Sequence, residues 1–110
     1  MPKYSADLNL VFGALADPTR RAVVERLCRG PASVSEIAQP LGLSLPAVLQ
    51  HLQVLEASGV ISSEKTGRVR TCRVETQAIG EVERWLNDRR TSWERRLDRL
   101  ARFLEDNPDS

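Results

Sequence analysis

The chain has 110 residues, of which 41% are hydrophobic and 28% charged, and its formal net charge is +1. This length suits one domain, and a charge so close to zero does not by itself indicate a nucleic-acid partner, so charge has to be examined segment by segment. The absence of a long apolar run, of a signal peptide and of paired cysteine spacing excludes a membrane span and predicts a cytosolic protein with free thiols.

Two short helices are predicted at the beginning of the chain. Residues 8–16 carry apolar side chains at helical spacing. Asp17 can accept a hydrogen bond as the N-cap of a second helix, and Pro18 suits its first position because no N–H is needed there. This helix is expected to run to about Arg29, where Gly30-Pro31 ends it.

A helix-turn-helix is predicted in the middle of the chain. Ser33-Val34-Ser35-Glu36 is a capping box that opens a short third helix, which Pro40 and Gly42 end. Ser44 caps a fourth helix, and Gly59 ends it. Two helices joined by a tight turn that contains glycine are typical of a helix-turn-helix.

The hydrophobic period then changes from helical spacing to two. Residues 60–64 and 68–74 alternate around Lys65-Thr66-Gly67, a pattern that predicts a β-hairpin with its turn there. From about residue 77 to 105, one long helix is expected, with an apolar stripe on one side and mixed charges on the others. The predicted fold is therefore mainly α with a small β-hairpin.

The fourth helix has an outer face without charge. At 100° per residue, Val48, Leu52 and Leu55 form the buried face, with Leu45 beside them. The opposite side carries Pro46, Ala47, Gln50, Gln53 and Val54. A glutamine among small side chains can pair with adenine in a major groove, but another protein segment could also cover such a face. The helix-turn-helix context favours DNA.

The predicted hairpin is locally basic. Between residues 62 and 74, Lys65, Arg68, Arg70 and Arg73 face a single acid, Glu64. Cations at the tip of a two-stranded ribbon suit a phosphate backbone or a minor groove. The alternative is a solvated hairpin whose charges only discourage edge-to-edge pairing, and the preceding helix-turn-helix argues against it.

The only histidine, His51, lies at the border between the buried and the outer face of the fourth helix. It has no acidic or nucleophilic neighbour in a recognisable motif and no partner ligands, so it is neither a catalytic base nor a metal ligand. The first interpretation is a packed ring that offers a nitrogen to a DNA phosphate or a backbone group; the second is a core histidine. Without a phosphate loop, a triad or a carboxylate pair, the chain is not expected to be an enzyme.

The two cysteines leave a redox alternative open. Cys28 ends the second helix among apolar neighbours and is expected to be buried. Cys72 lies between Arg70 and Arg73, which makes it the better candidate for a lowered thiol pKa, although its alternation with Val74 favours the core. A thiol-based redox-sensing repressor that uses Cys72 is the minority hypothesis.

Three segments together resemble the ArsR/SmtB-like bacterial transcriptional regulators: LADPTRRAVVERL (15–27), SVSEIAQPLGLSLPAVLQHLQVLEASGVI (33–61) and TGRVRTCRV (66–74). The resemblance covers nearly the whole chain. It implies a single winged helix-turn-helix domain over residues 1–110, with the order α-α-α-α-β-β-α. It also implies a homodimeric repressor, built through the first and last helices, that binds an imperfectly palindromic double-stranded operator.

By this resemblance, the first half of the fourth helix reads the major groove and the hairpin forms the wing. The implied DNA-binding residues are Ser44, Leu45, Pro46, Ala47, Gln50, His51, Lys65, Arg68 and Arg70. The implied dimerisation residues are Leu8, Val11, Phe12, Leu15, Ile79, Val82, Leu86, Trp93, Leu97, Leu100 and Leu104.

The sequence departs from the family pattern in two respects. Ala47 and Leu49 stand where many relatives carry Thr and Ser, so fewer hydroxyl contacts to bases are available. The third and the last helix have no Cys or His, so the chain resembles a subset without the metal-binding motifs, and we expect no metal site and no cofactor. The effector is not indicated by the sequence. A winged-helix module that binds protein instead of DNA is the main alternative.

Overall fold

The computed structural model describes residues 7–108, and the predicted order of elements is confirmed there with one addition. The addition is a two-residue strand, β1, ahead of the third helix. The elements are α1 (Leu8–Leu15), α2 (Pro18–Cys28), β1 (Ala32–Ser33), α3 (Val34–Leu41), α4 (Leu45–Ala57), β2 (Ile61–Thr66), β3 (Val69–Val74) and α5 (Thr76–Asp106). Within the described residues, no helix combines the length and the apolarity that a membrane crossing requires.

Side-chain caps begin the helices of the N-terminal half. Asp17 Oδ2 accepts from the backbone N–H of Arg20 at 2.9 Å, and Ser44 Oγ accepts from that of Ala47 at 3.3 Å. Ser33 and Glu36 form the predicted capping box, with distances of 3.1 and 3.2 Å. The hydrogen bonds from Ser33 hold the pKa of the Glu36 carboxyl below its usual range. The starts of α2, α3 and α4 are thus fixed by hydrogen bonds from side chains that lie within three residues in the sequence.

Glycines end the two helices of the helix-turn-helix. α3 continues through Pro40 and stops at Leu41, where Gly42 takes the left-handed conformation with φ 64°. α4 ends in the same way before Gly59, with φ 82°. Because a left-handed backbone carries no Cβ penalty at glycine, the chain can reverse sharply at both places.

The sheet has the antiparallel order β1-β3-β2. In the hairpin, Ile61 pairs with Val74 and Thr66 pairs with Val69, so β2 reaches two residues further than predicted and β3 begins one residue later. The turn therefore consists of Gly67 and Arg68, and the prediction of Lys65-Thr66-Gly67 was wrong. Gly67 has φ 63°, which suits the first position of a two-residue hairpin turn, so Lys65 and Thr66 remain in the ladder.

The core lies between the first four helices and the sheet. Its largest fully buried side chains are Val11, Val23, Ile37, Val48, Leu55, Val60 and Cys72. The predicted buried face of α4 is confirmed for Val48, Leu52 and Leu55, but wrong for Leu45, which is half exposed. Leu45 belongs to the first turn of α4, and this turn extends past the core to line a groove beside the wing.

Only the beginning of α5 packs against this core. Ala78 is buried, and Ile79 and Val82 are partly buried against the core. From Leu86 onward the apolar side chains are exposed, and the chain extends over 73 Å in its longest direction. Its radius of gyration is 20.1 Å. A compact domain of this length would have about 13 Å. Most of α5 therefore projects away from the winged domain.

The predicted dimerisation residues fall into two groups. Val11 is fully buried in the core, so its assignment to a dimer surface was wrong. Leu15, Ile79 and Val82 also pack against the core of their own chain. The exposed members are Phe12, Leu86, Trp93, Leu97, Leu100 and Leu104, and Leu8 is partly exposed. Periodicity did not separate the groups because α1 packs with one edge on the core and α5 packs only at its start.

Candidate nucleic-acid interface

The outer face of α4 is open and carries no charge. Its exposed residues are Leu45, Pro46, Leu49, Gln50, Gln53, Val54 and Ala57. Ala47 is partly buried, and the Ser44 hydroxyl is engaged in the cap of the helix. Solvent-facing helix surfaces usually carry Lys and Glu, which water solvates well. An open face of amides and small or apolar groups instead suits a surface whose partner offers hydrogen-bonding edges and methyl groups.

The strand register places two cations on the inner face of the wing. Lys65 lies directly opposite Arg70, and Ser63 lies directly opposite Cys72. Because side chains alternate along a strand, Lys65 and Arg70 share the face of the buried Cys72 but lie beyond the core, at the open end of the hairpin. Like charges placed opposite each other weaken a strand pair, so this arrangement has a cost in the free protein.

The fourth basic residue of the wing has an acidic partner. Arg73 lies diagonally across from Glu64, and its Nη2 is 3.4 Å from Glu64 Oε2. Among residues 7–108, Lys65, Arg68 and Arg70 have no carboxylate within ion-pair distance. The register thus separates one paired arginine from three cations that remain available to an anion.

A groove of about 540 Å³ separates α4 from the wing. One wall is formed by α4 and the start of α3, and the other by Lys65, Arg68, Val69 and Arg70. Inside it, Glu56 Oε1 is buried without a hydrogen-bond partner in the described part of the chain. Sequence reasoning missed Glu56, because on the helical wheel it is an ordinary charge near the end of α4 and only the folded wing covers it.

His51 packs against the start of α2. Its Nδ1 lies 3.5 Å from Arg20 Nη1 and 4.0 Å from Asp17 Oδ2, and a quarter of its side chain is exposed. Asp17 has a pKa below its usual range, chiefly because its carboxylate accepts the backbone N–H of Arg20. The ring is thus packed at the border of the outer face, as the first sequence interpretation states, but its protein contacts are side chains of α2.

The structure contradicts the expectation that Cys28 is buried, but confirms that Cys72 belongs to the core, as its alternation with Val74 indicated. Cys28 is exposed and not buried, because it occupies the outer side of the last turn of α2. Cys72 is fully buried, and desolvation raises the pKa of its thiol above the ordinary value, with Glu56 adding to the effect and Arg70 opposing it. A lowered thiol pKa at Cys72 was therefore a wrong prediction. Of the two neighbouring arginines, Arg73 points away from the core and Arg70 points into the groove.

The described residues contain no cluster of three or more His, Cys, Asp or Glu side chains that could hold a metal ion. The residues that do meet near α4 are the uncharged outer face, three unpaired cations and one partly buried histidine. Arg20 was not anticipated as part of this region. Its only signal in the sequence is its place directly after the capped start of α2, from where a long side chain can reach back to α1.

Comparisons with known proteins agree with this geometry. Residues 15–64 match the model of a helix-turn-helix domain family. The chain is 36% identical over 96 residues to the HTH-type transcriptional regulator Rv2034 of Mycobacterium tuberculosis, covering 87% of each chain. It is 30% identical to the transcriptional repressor SdpR of Bacillus subtilis, over 72% of this chain and 88% of that one. A crystal structure of an ArsR family transcriptional regulator superposes with a TM-score of 0.78 at 51% identity, covering 86% of this chain and 97% of the other.

Proposed function

The chain belongs to the ArsR/SmtB-like family of winged helix-turn-helix transcriptional regulators, and we propose that it represses transcription by binding a double-stranded operator as a homodimer. Like these relatives, which are transcriptional regulators, it is a regulator and not an enzyme. The observation that carries the proposal is the uncharged open face of α4 next to the three unpaired cations of the wing. Because it acts on operator DNA, we expect the protein in the bacterial cytoplasm.

The first half of α4 enters the major groove in this proposal. Gln50 is exposed there, and its amide can donate to N7 or accept from N6 of adenine through its two ends. Leu45, Pro46 and Ala47 can make apolar contacts with thymine methyl groups. At the start of α4, Pro46 has no N–H and Ser44 Oγ already accepts that of Ala47, so a phosphate there would meet the backbone N–H of Leu45.

The wing contacts the DNA backbone or the minor groove. Lys65, Arg68 and Arg70 have no carboxylate to release before they meet a phosphate. Each contact of this kind displaces condensed counterions, so operator affinity should fall steeply as salt increases. Arg73 should contribute little, because Glu64 already holds it.

The homodimer is proposed to form through the projecting part of α5. Trp93, Leu97, Leu100, Phe103 and Leu104 are each about half exposed. A helix with such a stripe and no partner would leave a large apolar surface in water, which soluble proteins rarely do. Two copies joined by this stripe would present their α4 helices to successive major grooves, about 34 Å apart, and the operator would be an imperfect palindrome.

Selection of bound fragments from a random DNA pool tests the proposal directly. The purified chain should enrich one motif with two-fold symmetry. Gln50→Ala combined with Arg68→Ala should then weaken binding to that motif and lower its salt dependence. Arg95→Ala, an exposed arginine of α5, is the matched control and should leave both unchanged. Enrichment of no motif, or unchanged affinity of the double variant across a salt series, would favour a module that binds protein.

The thiol-based alternative has a separate test. A buried thiol with a raised pKa reacts slowly with oxidants, since the thiolate is the reactive form. Mild peroxide treatment should therefore leave operator binding unchanged, and Cys28→Ser should be used to remove the exposed thiol from the experiment. Loss of binding in that variant after treatment would restore redox sensing through Cys72.

A further inference from the structure

Arg20 joins three parts of the molecule through one guanidinium group. Its Nε donates to the carbonyl of Ala14 at 2.8 Å, and its Nη2 donates to that of Gly13 at 3.1 Å. Both carbonyls belong to the last turn of α1, where that of Gly13 also accepts the backbone N–H of Ala16 at 3.3 Å and that of Ala14 has no later turn of helix to satisfy it. The remaining nitrogen, Nη1, lies 3.5 Å from Nδ1 of His51 on the recognition helix. Arg20 itself stands in the first turn of α2.

These contacts favour one position for the proton of the neutral His51 ring. A guanidinium group can only donate, so its contact with Nδ1 requires a lone pair on that nitrogen. The one competing group is the carboxylate of Asp17, which would favour a proton on Nδ1. Its Oδ2 is 4.0 Å away, beyond hydrogen-bond range, and already accepts the backbone N–H of Arg20. This arrangement favours the neutral tautomer with its proton on Nε2.

The Nε2–H group of His51 has no partner in residues 7–108. It lies on the opposite side of the ring from the contacts with α2, on a side chain that is partly exposed at the border of the open face of α4. A single N–H donor at this place is suited to one oxygen of a phosphate beside the recognition helix.

The same contacts connect α4 with the start of α5, the helix whose projecting part forms the dimer in the proposed function. α1 packs against α5, and Phe12 meets Trp85 edge to face at 5.8 Å between ring centroids. Through Arg20, the end of α1 is held to the middle of α4. A change in the packing of α1 on α5 would therefore reach His51 through a short chain of hydrogen bonds.

We propose that Arg20 is a positioning residue for DNA binding: it fastens α1 to the recognition helix and holds His51 as the Nε2–H tautomer, whose N–H donates to an operator phosphate. The DNA half of this proposal rests on the function proposed above. The tautomer half does not, and it can be measured on the free protein.

The tautomer is read from the ring nitrogens by ¹⁵N NMR of the full chain, at a pH where the ring is neutral. His51 is the only histidine, so the spectrum needs no assignment by mutation. We expect the wild-type lone pair on Nδ1 and the proton on Nε2. Arg20→Met should shift the population toward a mixture. A wild-type ring with its proton on Nδ1, or a spectrum that Arg20→Met does not change, overturns the proposal.

Arg21→Met is the matched control. Arg21 also donates to the end of α1, from Nη1 to the carbonyl of Leu15 at 2.8 Å, but it does not touch His51. It should leave the tautomer unchanged and operator affinity within about two-fold, since an exposed hydrogen bond contributes little. An equal shift of the tautomer in both variants would mean that any weakening of the α1 end acts on the ring, and would refute a specific role of Arg20.

Two substitutions of His51 test the roles of its two ring nitrogens one at a time and keep a polar side chain at this position. His51→Asn retains an acceptor for Arg20 but loses the outer donor, and His51→Gln retains an amide donor near the position of Nε2. We expect about a ten-fold loss of operator affinity for His51→Asn and a clearly smaller loss for His51→Gln, as for one charge-assisted hydrogen bond. If both variants lose operator affinity equally and in proportion to the fall in their melting temperatures, His51 has a structural role alone. If the wild-type chain selects no DNA, the proposed function fails, and the NMR result still decides the role of Arg20.

Discussion

The helices α4 and α5 both leave a face uncovered, but the two faces differ in chemistry. The exposed residues of α4 are amides and small or apolar side chains without charge, the one acid of the helix, Glu56, is partly buried in the groove, and the other side of α4 is packed into the core. α5 leaves a row of large apolar side chains exposed from Leu86 to Leu104, with arginines and acids on its other sides. α4 is packed on its own domain, whereas most of α5 projects beyond it.

This difference shows that exposure alone does not identify a partner. A face that must be soluble in the free protein and then meet base edges needs hydrogen-bonding groups that water also satisfies, and Gln50 and Gln53 are of this type. A face that a second copy covers, as proposed for α5, can carry Trp93 and Phe103, because water does not compete for it in the dimer. The chemistry of the two faces therefore differs in the way the proposed function requires, with the operator as the proposed partner of α4 and a second copy of the chain as that of α5.

The largest effect is expected on α5. Leu100→Glu places a charge in the apolar stripe and should give a monomer by sedimentation. Operator affinity should then fall about 100-fold or more, because the second half-site no longer adds to the first. Arg102→Glu introduces the same side chain on the opposite side of the helix and should remain dimeric. A dimeric Leu100→Glu variant would place the interface elsewhere.

The next effect distinguishes the two faces of α4. Leu52 is 2% exposed and Leu49, one turn earlier on the helix, is 40% exposed. Leu52→Ala should lower the free energy of unfolding by about 2–5 kcal/mol through the cavity it leaves. Leu49→Ala should change it by no more than about 0.5 kcal/mol. Urea denaturation at equal protein concentration measures both, and similar losses would mean that the outer face is covered in solution.

A smaller effect is expected in base recognition by Gln50. Gln50→Ala should remove about 1–3 kcal/mol of discrimination between the operator and a site with one adenine replaced. Gln53→Ala, closer to the C-terminal end of α4, should remove less, because the N-terminal residues of a recognition helix contact base edges. Competition binding with the two DNA sites measures the difference. Equal discrimination by the Gln50 variant and the wild type would exclude this contact.

The smallest effect concerns the N-terminal cap of α4. Ser44 caps α4 with its side chain, whereas Glu75 at the start of α5 makes no side-chain cap hydrogen bond. Ser44→Ala should lower the free energy of unfolding by about 1 kcal/mol. Ser44→Asp retains the cap, so stability should be kept while its negative charge weakens operator binding. Thermal unfolding and binding on the same two variants separate the roles. If Ser44→Asp binds DNA as well as the wild type, the start of α4 does not approach a phosphate.

Much of this protein follows from the sequence because the signals act over a few residues. The caps at Asp17, Ser33 and Ser44 and the reversals at Gly42 and Gly59 are local hydrogen-bonding and backbone preferences, and the structure confirms each of them. The buried stripe of α4 depends only on helical period. The wing cations are visible as composition. For these reasons the order of elements and the family were accessible without coordinates.

The tertiary structure alone decided which side chains meet across long stretches of chain. Arg20 reaches His51 from 31 residues away, Arg73 rather than Arg70 pairs with Glu64, and Val11 belongs to the core while Leu45 and Cys28 do not. Each of these outcomes depends on how far one element slides along another and where a strand register begins. Helical or strand period determines the direction of a side chain from its own element, but not the element that lies opposite it.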